Sequence, residues 1–324
     1  MQGDLIVVFG GSGFIGAQTV RALAKRGKRV RVAMRRPHLG AELRVLGDVG
    51  QVQLAQANLR YPDSIAAALA GADGVVNLVG LLSEKGPQTF EAIQADGARA
   101  VAEAAAAKGI TRLAHVSAIG ADAHTPSRYA RTKAAAEEAV RAAVPEAVIL
   151  RPSIVFGPGD TFFNRFADMA KFAPVMPLIG GGKTKFQPVY VGDVAKAIAH
   201  ALDDAGARGR TFELGGPSIY TFKQLLEFTL AEIARPRPLL PIPFFVAQPL
   251  GMLLDMAFRL YPFAPPPLTG DQVALLKRDT IVSGDVGVLT DLGVTAPESI
   301  ESIVPTYLWR FRPYGQFQIK QNAA

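Results

Sequence analysis

The stretch that decides the fold is Leu5 to Gly16, "LIVVFGGSGFIG". Five apolar residues run without interruption into a cluster of glycines, and the helix-periodic segment "AQTVRALAKR" follows. A wholly apolar strand that ends in glycines and opens a helix is the setting in which a glycine turn meets a nucleotide. Gly10, Gly13 and Gly16 fit a G-x-x-G-x-x-G spacing, and Gly11, Gly13 and Gly16 also fit G-x-G-x-x-G. Glycines let the backbone turn tightly and approach a pyrophosphate, and the N–H groups of the first helical turn meet its charge. Gly10, Gly13, Phe14, Ile15 and Gly16 are the candidate residues there. The bland alternative is a tight turn without a ligand.

Outward from this stretch, short apolar runs alternate with helical patterns. "RVRVAM", "GQVQLA", "GADGVVNLVG", "ITRLAHVSA" and "EAVILRPSIVFG" read as strands. Ala-rich helices are expected at about Ala95 to Lys108 and Arg131 to Ala143. Apolar strands separated by helices imply a parallel sheet covered on both faces. The expected class is α/β, a doubly wound parallel Rossmann-type sheet with a smaller, partly interleaved C-terminal lobe. Residues 1–160 are expected to form the nucleotide-binding domain, with 188–216 returning to its sheet; 161–187 and 217–324 form the smaller lobe. "KFAPVMPLIGGGKTKFQP" reads as a Pro/Gly-rich connection, and a helix is expected from about Thr221 to Ile233.

The 324 residues are 49% hydrophobic and 19% charged, with a mean hydropathy of +0.20. That is apolar for a soluble chain and predicts surface covered by a partner or a membrane. A net charge of +7 and a pI near 9.7 favour anionic partners. With no cysteine, disulfides, thiol catalysis and thiolate metal sites are excluded, and the four histidines show no metal-ligand spacing. The first apolar run begins at Leu5, so no signal or transit peptide is expected. The apolar segment 239–268 is interrupted by Pro241, Pro243 and Pro249 and contains no uninterrupted run of the ~20 apolar residues a membrane span needs.

The second strand ends "MRRPH", with Arg35 and Arg36 where NAD sites usually carry a carboxylate. A guanidinium attracts a 2′-phosphate and cannot accept a bond from a ribose hydroxyl, which points to NADP or NADPH. Asn58, beside Leu59, stands where an adenine amino group is read, and Leu78, Val79 and Gly80 form a floor for ribose and pyrophosphate. In "SRYARTKAAAE", Tyr129 and Lys133 are four residues apart and share a helix face. That pair is a proton donor with its tuner, a nucleotide grip, or two unrelated surface residues.

Together these features resemble the extended short-chain dehydrogenase/reductases over at least Leu5 to Gly216. The resemblance implies that Tyr129 exchanges a proton with substrate, that Lys133 lowers the tyrosine's pKa and holds the nicotinamide ribose, and that Pro152 and Ile154 of "RPSI" contact cofactor. It also implies a hydroxyl at the end of the fifth strand, where the chain departs from the pattern. The position after Ser117 is Ala118, so Ser117, a candidate cofactor contact, is structural unless the register shifts by one residue and makes it the catalytic hydroxyl. "GDVGQ", "VNLVG", "SRYARTKAAAEEAVR", "KFAPVMPLIGGGKTKFQPVYVGDVAKAI" and "DLGVTAPESIE" resemble one subgroup, the nucleotide-binding accessory subunits of respiratory complex I in their bacterial form. That resemblance implies a tightly held NADPH without established turnover and partner subunits near the quinone site. It further implies a peripheral place on the cytoplasmic face of the inner membrane, touched through residues 239–268, with no nucleic acid and no metal. A free-standing NADPH-dependent reductase, or a nucleotide-sugar or quinone-precursor isomerase using Tyr129 as acid/base, stays open. So does a degenerate scaffold that binds no nucleotide.

Overall fold

The computed structural model describes residues 4–260 and 268–317. Two compact units are each drawn from three stretches of chain. The first takes Met1–Pro152, Val191–Leu214 and Val282–Ala296; the second takes Ser153–Tyr190, Gly215–Ile281 and Pro297–Ala324.

In chain order the first stretch gives β1 (Leu5–Phe9), α1 (Phe14–Lys25), β2 (Arg29–Met34), β3 (Val52–Gln56), α2 (Pro62–Ala68) and β4 (Gly74–Asn77). It continues with α3 (Asp96–Ala107), β5 (Leu113–Val116), α4 (Arg128–Ala143) and β6 (Val148–Pro152). Then come β7 (Val155–Phe156), α5 (Phe163–Phe172), β8 (Met176–Ile179), β9 (Lys185–Phe186), β10 (Val189–Tyr190), α6 (Val191–Asp203) and β11 (Thr211–Leu214). The remainder gives β12 (Tyr220–Thr221), α7 (Phe222–Glu232), β13 (Leu239–Ile242), α8 (Phe244–Leu260), α9 (Gly270–Leu275) and β14 (Gly287–Val288).

The first unit holds an eight-stranded sheet in the order β14-β11-β6-β5-β4-β1-β2-β3. Every neighbouring pair in it is parallel. This is the doubly wound arrangement, with the order reversing between β1 and β4. Such a reversal opens a crevice at the carboxyl ends of the strands. The sequence pattern follows from coverage on both faces. On one side Val7, Phe9, Val75, Leu113 and Ile149 pack with Ile65, Leu69, Val101, Ala105 and Val140 of the α2, α3 and α4 layer. α1 and α6 pack together in the same unit, burying Val20, Leu23, Val194 and Ile198. Each such side chain contributes about 1.5–3 kcal/mol on burial.

Local expectations were corrected in four places. α4 starts at Arg128, earlier than Arg131, because the Ser127 hydroxyl accepts the Ala130 N–H at 3.2 Å and caps the helix. The strand at Val189–Tyr190 pairs with Val155–Phe156 and not with the large sheet. The sheet's last place goes to Gly287–Val288, where no strand was expected. Within the supposed connection after Lys171, Met176–Ile179 is a strand paired in parallel with Leu239–Ile242.

The second unit packs around Phe156, Phe163, Phe186, Phe222, Leu225 and Leu226. One side of α8 is tied to the start of α9: Gly270 N–H donates to the Asp255 carboxylate at 2.8 Å, and Gln248 Nε2 donates to the Gly270 carbonyl at 3.0 Å. The helix nevertheless leaves Phe245, Met252, Leu253 and Met256 between 57% and 79% exposed. Among the described residues no helix is long and apolar enough to cross a membrane. Of the segment 239–268, residues 261–267 lie outside the described residues.

Candidate functional site

Because the sheet is parallel throughout, the carboxyl ends of β1 to β6 share one edge, and the sequence candidates of the first unit fall there. Gly10 turns the chain with φ +79°, a conformation L side chains rarely adopt. A Cβ on Gly10 would lie 3.1 Å from the backbone carbon of Leu78, so the glycine turn and the end of β4 are in direct contact. A Cβ on Gly16 would lie 2.1 Å from the Gly10 carbonyl oxygen, which no neighbour can relieve. Gly13 donates to that carbonyl at 3.0 Å and stands at the N-cap of α1, supplying no side-chain cap. The first-turn N–H groups at Phe14, Ile15 and Gly16 belong to the turn for which an α-helix has no intrahelical acceptors, and Gly13 supplies no side chain to take their place.

Arg35 and Arg36 follow β2 directly, both exposed, and among the described residues neither joins an ion pair. Asn58, after β3, is half-buried; its carboxamide oxygen accepts the Arg60 N–H at 3.2 Å and its backbone N–H donates to Ser64 Oγ at 3.0 Å. Leu59 is buried against Gly97, where a Cβ would come within 2.9 Å of it. The β4 loop is shaped by Asn77, whose Oδ1 accepts the Val79 N–H at 3.2 Å.

Tyr129 and Lys133 both lie in α4, one turn apart, with Tyr129 in the turn that Ser127 caps. Lys133 is 5% exposed; its Nζ donates to the Val116 carbonyl at the end of β5 at 3.1 Å. A Cβ on Gly80 would lie 3.4 Å from that same nitrogen. The ammonium thus sits between the ends of β4 and β5, and 6.0 Å from the centre of the Tyr129 ring. Burial pulls the Lys133 pKa down to about 8, against the attraction of Glu137. Tyr129 meets Phe90 edge to face with ring centres 5.9 Å apart. Arg128 clamps the intervening segment, reaching Glu84 at 2.9 Å and Glu91 at 2.8 Å.

Ser117 is 3% exposed; its N–H donates to the Leu150 carbonyl at 2.7 Å, and its hydroxyl finds no partner among the described residues. Ala118 is half-buried and offers only a methyl group. Pro152 ends β6, where its carbonyl accepts the Ile119 N–H at 3.1 Å. Ile154 belongs to the second unit and packs at the margin of its apolar core.

Sequence reading missed several groups. His115 and Gln94 are each 1% exposed with both polar side-chain atoms unpartnered among the described residues. Burial, then the charges of Lys133 and Arg141, push the His115 pKa down to about 3, so its ring is neutral at ordinary pH. Glu137, 2% exposed, accepts from Arg151 at 2.6 and 2.8 Å and from Arg141 at 3.3 Å, pinning α4 to β6. Gln94 lies in the π turn Glu91–Ala95 that precedes α3.

Set against known proteins, residues 6–215 match the NAD dependent epimerase/dehydratase family. The chain belongs to that family. Among similar proteins is the Arabidopsis thaliana mitochondrial NADH dehydrogenase [ubiquinone] 1 alpha subcomplex subunit 9, 39% identical, covering 97% of this chain and 80% of that protein. The Mus musculus protein of the same name is 36% identical over 97% of this chain and 82% of its own. Among solved structures, the UDP-glucose 4-epimerase of Thermus thermophilus, in complex with NAD, has a TM-score of 0.69 at 22% identity, covering 95% of this chain and 99% of that one. At that identity the likeness shows the fold alone. The family's nucleotide fits the residues present: the Gly16 cradle leaves no room for a side chain, and the helix above it is uncapped.

Proposed function

We propose that this chain is an NADP(H)-binding accessory subunit of respiratory complex I that holds its nucleotide without turnover. One observation supports this above others. Similarity to the relatives named as subunit 9 extends over 97% of the chain, and so takes in the apolar β13–α8 region that nucleotide binding does not require. In this reading the first unit is the nucleotide-binding domain and the second the interaction lobe. Its partners are neighbouring subunits close to the quinone site. The exposed face of α8 rests on the cytoplasmic surface of a bacterial inner membrane.

The nucleotide, when bound, supplies a nicotinamide able to give or take hydride. Phe14, Ile15 and Gly16 donate to its pyrophosphate, with Gly10 and Gly13 allowing the approach. Arg35 and Arg36 favour the 2′-phosphate of NADP(H) over the free hydroxyl of NAD, since a guanidinium only donates. Asn58 and Leu59 frame the adenine; Leu78, Val79 and Gly80 floor the ribose; Pro152 and Ile154 border the nicotinamide. Tyr129 and Lys133 hold the nicotinamide ribose. In the register that puts Ala118 at the hydroxyl position a methyl group stands there, and loss of such a donor typically costs about 10²–10³ in rate.

Native electrophoresis of detergent-solubilised membranes tests the assignment. The chain is expected to migrate within a large NADH-oxidising assembly; migration as a free monomer or small oligomer overturns it. A second reading, a free-standing NADPH-dependent reductase or isomerase, draws on Lys133, whose pKa near 8 suits proton chemistry at neutral pH. It requires a turnover that Tyr129→Phe abolishes while nucleotide stays bound.

A further inference from the structure

We propose that the second unit carries a headgroup site for an anionic phospholipid, in the open cavity between α7 and β13. The cavity has a volume of about 750 Å³. Lys223, Glu227 and Leu230 line it from α7, and Arg235, Arg237 and Leu239 from the segment that follows. The proposal rests on the membrane-facing part of the reading above and gives that contact a chemistry.

Each arginine is anchored by its inner nitrogen. Arg235 Nε donates to the Phe311 carbonyl at 2.9 Å, and Arg237 Nε donates to the Ala170 carbonyl at 3.1 Å. Among the described residues the terminal nitrogens of both donate to nothing else, and no carboxylate pairs with either guanidinium. Lys223 is matched by Glu227 at 3.6 Å, so three cations share one carboxylate. Two guanidinium forks fixed at one end and open at the other suit phosphate oxygens. Arg235 is aimed by an unusual turn: Ala234 holds φ 51°, and Arg235 N–H closes back onto the Leu230 carbonyl at 3.1 Å. The left-handed position at a helix end is usually glycine.

The apolar surroundings select a lipid over a soluble phosphate. Met176 N–H donates to the Pro238 carbonyl at 2.9 Å, which places Val175 (41% exposed) beside the cavity segment. Leu240 (53% exposed) follows it in β13, and Phe172 (85% exposed) ends α5, whose Ala170 holds Arg237. β13 then leads through Pro243 into α8 with its exposed apolar row. Leu230, Ala231, Ala234 and Leu239 give the cavity apolar walls beside its guanidinium groups, which matches a headgroup with the start of its acyl chains. Soluble phosphate gains nothing from that surface.

The test uses the full-length chain and co-sedimentation with vesicles of phosphatidylcholine alone or with added phosphatidylglycerol. At about 1 kcal/mol per basic residue near an anionic surface, Arg235→Gln/Arg237→Gln should weaken binding to the anionic vesicles by about 30-fold. Arg44→Gln/Lys108→Gln, which removes two exposed charges from the first unit, should leave it within about twofold. Equal losses in the two double variants would assign the affinity to overall charge and overturn the site. Wild-type chain that binds both vesicle types equally overturns it without any variant, should the arginine variant fail to fold. Inorganic phosphate that binds the wild type as tightly as the vesicles do, or an acidic peptide that displaces them at equimolar concentration, overturns the lipid assignment. None of these results bears on incorporation into a large assembly, which the native gel decides separately.

Discussion

Two helices begin at the same edge of the sheet, and they begin in opposite ways. α1 starts after Gly13, which has no side chain to offer its first N–H groups. α4 starts after Ser127, whose hydroxyl takes one of them. The open start exposes backbone donors and suits an anion. The closed start is rigid and presents side chains, Tyr129 and Lys133, at a fixed height. One edge thus combines a backbone half that tolerates no Cβ with a side-chain half whose position depends on caps and buried ion pairs. Glu137 with Arg151, and Arg128 with Glu84 and Glu91, hold the second half only.

The sharpest way to break the comparison is Gly16→Ala. Its methyl would meet the Gly10 carbonyl at 2.1 Å, so the turn must rearrange. Nucleotide retention, measured by nicotinamide fluorescence of the purified chain, should fall by at least about 100-fold, and stability by a few kcal/mol.

Lys133→Met probes the other half and should separate stability from binding. The wild-type lysine is buried with a pKa lowered from 10.5 to about 8, so the folded state binds its proton less tightly than the unfolded chain. The resulting penalty is full below about pH 8 and fades as pH rises toward 10.5. In urea unfolding at pH 7 the variant should gain up to about 3 kcal/mol. At pH 10 that advantage should be much reduced, and at both values nucleotide affinity should be lower than wild type. A variant less stable than wild type at pH 7 would show that the Val116 bond outweighs the burial cost.

Arg35→Gln/Arg36→Gln should lower NADPH affinity by about 10- to 100-fold, on the scale of charged hydrogen bonds. NADH affinity by isothermal titration should hold within about twofold; equal losses for both nucleotides would remove the case for a 2′-phosphate contact. The smallest effect belongs to Ser127→Ala, which should cost about 1 kcal/mol of stability and leave NADPH affinity within about twofold. A larger loss of affinity would mean that the capped start of α4 sets the position of Tyr129 more tightly than its helix does.

What the sequence made legible divides along the same line. The β1–turn–α1 unit is local: five apolar residues, a glycine spacing and a helical period lie within twenty-odd positions, so the strand, the turn and the helix could all be read. The positions of Tyr129 and Lys133 were readable from helical spacing, and Ser127 was an available cap signal left unused. What surrounds them was not readable. Glu137 meets Arg151 and Arg128 meets Glu84 only because distant elements pack together. His115 reads as an ordinary strand residue until its burial without partners is known. Pairing of Met176–Ile179 with Leu239–Ile242 joins two proline-containing runs whose local chemistry argues for loops, and only the long-range ladder makes them strands.

The interleaving of the two units bears on how the chain is made. Domains generally fold as units, the earlier ones during synthesis. Here the large sheet cannot add its outermost strand until Gly287 and Val288 have left the ribosome, and the second unit waits for Tyr307, which hydrogen-bonds the buried Asp160. Through most of translation both cores are unfinished, and the half-built sheet carries a free β11 edge. No single cut in the chain would release either half as an intact fold, since each unit draws on three separated stretches.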